Sequence, residues 1–140
     1  MKYIEYLKKA TILLKEAKSD LKIGNFNKAV SAMWFALEAI MRGILIFSGK
    51  QIPAKSGALM SKFVKFIVNL GANATIKDLL NSIYFVRMNA DHKARIIDKR
   101  CAERTWNKTK KVLEELKHIM EMLGMNTSEL KASGKDDFNY

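Results

Sequence analysis

At 140 residues, 49% of them hydrophobic, the chain has the length of one domain and enough apolar side chains to fill a core. A single cysteine, Cys101, excludes an intrachain disulfide, and two histidines, His92 and His118, form no cluster at metal-ligand spacing, so neither a structural metal nor a cofactor is expected. Lysine and arginine outnumber the acids by 25 to 14, and a net charge of +11 suits phosphate-rich polymers, anionic surfaces or acidic proteins, although lysine-rich helix faces also serve solubility.

The amino-terminal segment "MKYIEYLKKATILLKEAK" carries lysines throughout and lacks a secretory h-region. No later stretch approaches the roughly 18 uninterrupted apolar residues of a membrane span, so a soluble, cytoplasmic protein is expected. From Tyr3 to Ile23 the apolar residues Ile4, Leu7, Ile12, Leu14, Ala17 and Leu21 recur mostly three to five apart, the period of an amphipathic helix ended by Gly24 and Asn25. Phe26 to Phe47 is apolar almost all round and is expected to be the most buried helix, closing at Ser48 and Gly49. A connection containing Pro53 leads to a short helix over Ala58 to Leu70, stopped by Gly71.

Thr75 is placed to cap a fourth helix, "IKDLLNSIYFVRMNADH", with Asp78 near its positive end. A last helix is expected from about Ile97 to Leu123, where Gly124 stops it. No second domain, repeat or strand alternation is visible. The expected architecture is an all-α, up-and-down bundle of four to five helices over residues 1–124, with 125–140 a flexible tail.

Three motifs stand in order along this plan. "GNFNKA" resembles the Gly-x-aromatic-x-x-Ala start of the second helix in the HEPN family (higher eukaryotes and prokaryotes nucleotide-binding domain). "MWFALEA" resembles that family's aromatic pair followed by alanine, and "RMNADH" its Arg-x4-6-His signature. The resemblance covers roughly Tyr3 to Leu123. It implies a homodimeric helical bundle in which Arg87 and His92 of both subunits meet in a cleft. Active members are metal-independent ribonucleases, often toxins paired with a minimal nucleotidyltransferase; others are inactive, or bind RNA, nucleotides or partner proteins.

Helix geometry bears on the motif independently. Arg87 and His92 lie roughly 140° apart around the axis and about 7.5 Å apart along it, a spacing that flanks a wide groove. A two-fold axis nearby would gather two such pairs. In metal-free RNA cleavage a histidine moves the proton of the 2′-OH or of the leaving oxygen, and an arginine stabilises charge on the phosphoryl oxygens. The competing reading is an ordinary surface ion pair between Arg87 and Asp91 at i,i+4, with His92 bordering the core. Met88 departs from the family, which usually has a polar residue directly after the arginine. Asn89 and Asp91 are the candidates for supporting polar groups.

Several other residues have both a bland and a functional reading. Met33, Trp34, Phe35 and Met41 fall on the most apolar helix and are expected in the core rather than around a ligand. Glu38 and Arg42 are spaced to pair, with an opening onto the motif cleft as the alternative. Cys101 is expected to be a small buried side chain and His118 a partly exposed one. The basic run Lys93, Arg95, Lys99, Arg100, Arg104, Lys108, Lys110 and Lys111 suits backbone phosphates without base readout, and Trp106 within it suits core packing or base stacking. Two function classes result: an RNA-cleaving enzyme, or a non-catalytic binding module using the same groove.

Overall fold

The computed structural model describes residues 2–92 and 95–130. Its five helices are α1 (Lys2–Ile23), α2 (Phe26–Phe47), α3 (Ser56–Asn69), α4 (Thr75–His92) and α5 (Lys99–Leu123), with no strand among the described residues. The fold is the expected all-α bundle. α1 buries a single stripe, Leu7, Ala10, Leu14, Ala17 and Leu21, whereas α2 is buried on most of its circumference. Every other helix can therefore lower its apolar exposure by packing on α2, and α1, α3, α4 and α5 all touch it.

The pairing of α1 with α2 is the most extensive. Gly24 turns the chain at φ 86, and the Asn25 amide donates to Asp20 O at 2.8 Å, so the helices reverse within two residues. Farther along, Gly43 lets α1 approach closely: a Cβ there would lie 3.4 Å from both Tyr3 O and Tyr6 Cβ. Trp34, Phe63 and Trp106 are the bulkiest core side chains. Trp106 is thus a packing residue, not a platform for a base. By length and hydropathy α2 could cross a membrane, yet 72% of its most apolar window is buried inside the bundle, as befits a central core helix.

Helix ends differ in detail from the sequence reading. The side chain of Asn73, not Thr75, accepts the Thr75 amide at 3.0 Å, making Thr75 the first helical residue. α5 starts at Lys99 because Asp98 takes the N-cap position and its carboxylate accepts the Cys101 amide at 2.8 Å. Cys101 itself is half-buried. After the left-handed Gly124, the Met125 amide donates to Met120 O at 3.0 Å and closes the helix.

The chain does not leave the bundle at residue 125. Met125 and Leu130 are buried, the Thr11 hydroxyl donates to Glu129 O at 2.8 Å, and the Asn126 amide donates to the Tyr3 hydroxyl at 3.2 Å. Two apolar side chains and two hydrogen bonds to α1 hold residues 125–130 against the bundle, in place of the tail expected there. The remainder of that segment, 131–140, lies outside the described residues.

Candidate functional site

α4 presents its buried stripe, Ile76, Leu80 and Ile83, to the core. Counting at 100° per residue, Arg87 falls near this inward stripe, while Phe85, Met88 and His92 share the opposite face. The observed exposures agree. The Arg87 side chain is only 14% exposed, whereas Phe85 is 61% exposed and His92 is exposed at the last position of the helix. The two motif residues point apart within one chain.

Arg87 is held from three directions. Its guanidinium carbon stands 4.9 Å over the Phe35 ring of α2, a cation–π contact. Its Nε is 2.9 Å from Asp91 Oδ2, and its Nη1 is 3.5 Å from Met88 Sδ. The Nε–H does not point at the carboxylate, for Nε is buried without an aligned hydrogen-bond acceptor. The contact with Asp91 is therefore charge pairing rather than a directed bond, and the i,i+4 ion pair suggested by spacing is present. Asp91 is fixed in turn by Ser31 of α2, whose hydroxyl donates to Oδ1 at 2.6 Å.

Asn89 is buried, and its carbonyl accepts the Arg95 amide at 3.3 Å. Met88 is half-buried. Arg95, Lys99, Arg100 and Arg104 are all exposed along the connection and the start of α5, while Lys93 lies outside the described residues. Lys108 turns inward instead and donates to the Ser82 hydroxyl at 2.6 Å, tying α5 to α4. Glu38 and Arg42 pair at 2.9 Å, but they clip the α2–α3 connection: Arg42 also donates to Pro53 O and Ala54 O, and Ser56 donates to Glu38.

A groove of about 740 Å³ runs between α1 and α2 and reaches the motif at Asp91, with Ile12, Glu16, Lys28, Ser31 and Phe35 in its walls. Among the described residues no three or more His, Cys, Asp or Glu side chains gather as a metal site.

Sequence reasoning did not assign functional parts to Asn27, Ser31 and Phe35. They recur every four residues on α2 and form the surface against which the end of α4 rests. Asn27 donates to Ala90 O at 3.3 Å and to Arg95 O at 2.7 Å, and accepts the Ile97 amide at 2.9 Å. The available signal was polarity: Asn27 and Ser31 stand one turn apart near the start of a mostly apolar helix.

Fold and site define a small all-α bundle protein, built around one apolar helix, with an arginine and a histidine displayed on diverging sides of the neighbouring helix end. The chain belongs to the HEPN family, whose HEPN domain model matches residues 3–119, from the first turn of α1 to near the end of α5. No curated protein matches the chain significantly in sequence.

Proposed function

We propose that the protein is a metal-independent endoribonuclease acting as a homodimer, and the toxin of a pair whose partner is a minimal nucleotidyltransferase. The observation that carries this reading is the divergence of Arg87 and His92. Arg87 is clamped toward α2, while His92 is exposed on the same side of α4 as Phe85, a large apolar residue open to solvent. Neither completes a site alone; two copies related by a two-fold axis at the end of α4, between these two directions, would bring both kinds of side chain to one phosphate and cover Phe85.

In that cleft one His92 takes the proton of the 2′-OH, the 2′-oxygen attacks phosphorus, and the resulting imidazolium returns that proton to the departing 5′-oxygen. Arg87, oriented by Phe35 and Asp91, turns its terminal guanidinium nitrogens to the phosphoryl oxygens. Exposed Arg95, Lys99, Arg100 and Arg104 hold the flanking backbone.

A second reading, a non-catalytic module that binds RNA, a nucleotide or the nucleotidyltransferase partner, is favoured by Met88. Its sulfur lies against Arg87 Nη1, where the family usually has a polar residue. Cleavage of RNA in EDTA separates the two. The nuclease gives 2′,3′-cyclic phosphate and 5′-hydroxyl ends, and loses about 10²–10⁴-fold in rate with His92→Ala. Intact RNA with wild type and with Met88→Asn leaves the binding module.

A further inference from the structure

The five helices do not all end in the same way. α1, α2, α3 and α5 are each followed closely by a glycine at positive φ: Gly24, Gly49, Gly71 and Gly124. Such a residue turns the chain so that it can satisfy the last carbonyls of its own helix. No glycine occurs between His92 and Asp98. α4 therefore closes by other means. The Arg95 amide reaches back to Asn89 O at 3.3 Å, and Asn27, on a different helix, donates to Ala90 O at 3.3 Å.

The Asn27 side chain does more than close the helix. Its Nδ2 also donates to Arg95 O at 2.7 Å, and its Oδ1 accepts the Ile97 amide at 2.9 Å. All three partners are backbone groups of fixed polarity, two acceptors and one donor. A reversed amide would set oxygen against two carbonyls and NH₂ against an N–H, so this orientation is determined by the network itself. One side chain thereby grips the chain two residues before His92 and three residues after it.

The grip is rigid because of where Asn27 stands. It occupies the first turn of α2, immediately after the two-residue reversal from α1, on the most buried helix of the molecule. One turn on, Ser31 fixes Asp91; one further turn on, Phe35 lies under Arg87. Among the described residues of the connection, Ile96 is 92% exposed and Ile97 is the buried apolar one. Without Asn27, the chain after the histidine would keep the Arg95–Asn89 backbone bond and buried Ile97 but lose its side-chain tie to α2.

We propose that Asn27 is the positioning residue of His92, fixing by its three backbone hydrogen bonds the end of α4 from which the histidine projects. Its part in RNA cleavage rests on the nuclease reading above; its hold on the chain around His92 does not. A misplacement of about 1 Å at a proton-transferring group can cost about a hundredfold in rate. Asn27 acts through His92 and makes no contact with substrate.

Asn27→Ala and Asn27→Asp test this in the full-length protein, by amide hydrogen exchange, His92 ring NMR signals and RNA cleavage. In Asn27→Ala the Ile97 amide exchanges about tenfold faster, the loss of one part-buried hydrogen bond, while Leu113 in α5 keeps its wild-type rate. Asn27→Asp keeps Ile97 protected through its remaining acceptor but sets a carboxylate against two carbonyls. Both variants shift the His92 ring signals. Both lower kcat by about tenfold to a hundredfold with KM changed less than about twofold, because the basic start of α5 is capped independently by Asp98. Wild-type exchange at Ile97 with unmoved His92 signals overturns the proposal, as does equal acceleration at Leu113, which marks a general loss of stability. If the wild-type protein leaves RNA intact, the nuclease reading fails while exchange and ring signals still decide the role of Asn27.

Discussion

Replacing Asp91 separates what holds Arg87 from what Arg87 is for. Asp91 pairs with Arg87 at 2.9 Å and accepts the Ser31 hydroxyl at 2.6 Å, with side-chain exposures of 14% for Arg87 and 30% for Asp91. An exposed pair at this helix spacing contributes about 0.3–0.5 kcal/mol, and partial burial of the guanidinium raises that toward about 1 kcal/mol. The Ser31 bond, to an ionised but partly solvated acceptor, adds about 1 kcal/mol. Asp91→Ala removes both, for a loss of about 2 kcal/mol, or about 5–10 °C in Tm for a domain of this size. Asp91→Asn keeps an acceptor for Ser31 and loses only the charge, for about half that loss. RNA affinity moves the other way, because Arg87 is no longer neutralised: both variants bind RNA more tightly at low salt than wild type. Thermal melts and fluorescence anisotropy with a labelled single-stranded RNA measure the two effects. If Asp91→Asn is as unstable as Asp91→Ala, or if both bind RNA more weakly than wild type, the ion pair does not have the role given to it.

Combined Lys99→Ala, Arg100→Ala and Arg104→Ala changes remove three exposed charges and should reduce the slope of log K against log salt for single-stranded RNA by about 2, read from titrations at several salt concentrations. Phe85→Glu puts a charge in place of an apolar side chain that is 61% exposed on α4. Light scattering should report about twice the 16.0 kDa chain mass for wild type and the single chain mass for this variant, with helix content unchanged. At Gly43 a Cβ would already touch Tyr3 O and Tyr6 Cβ at 3.4 Å, so the further atoms of Gly43→Leu must displace α1 and should lower stability by about 1–3 kcal/mol in urea unfolding with an unchanged m-value.

Much of the fold was legible because it depends on local periodicity. The single apolar stripe of α1, the all-round apolarity of α2 and the glycines after four of the helices are properties of consecutive residues. What escaped was set by neighbours distant in sequence or by the geometry of a single turn. Nothing in "NATIKD" distinguishes Asn73 from Thr75 as the group that meets the first amides, and both have the chemistry for it. Met125 and Leu130 read as tail because no periodicity links them to α1, yet they are buried. At the site, i,i+4 spacing correctly suggested the Arg87–Asp91 pair. A helical wheel gives the direction of a side chain but not the helix it meets there, so the part of Asn27, Ser31 and Phe35 in holding the end of α4 required the tertiary structure.

The proposed cleavage needs two copies of the chain, because Arg87 and His92 diverge on α4 of each. Co-expressing Arg87→Ala and His92→Ala chains under different tags, and isolating protein that carries both tags, produces dimers with one intact arginine and one intact histidine on opposite subunits. Each variant alone should be inert toward RNA in EDTA, and the mixed dimer should regain about a quarter to a half of wild-type activity, with 2′,3′-cyclic phosphate ends. A mixed dimer as inert as its parents while wild type cleaves, or a wild-type protein that leaves RNA intact, contradicts the account.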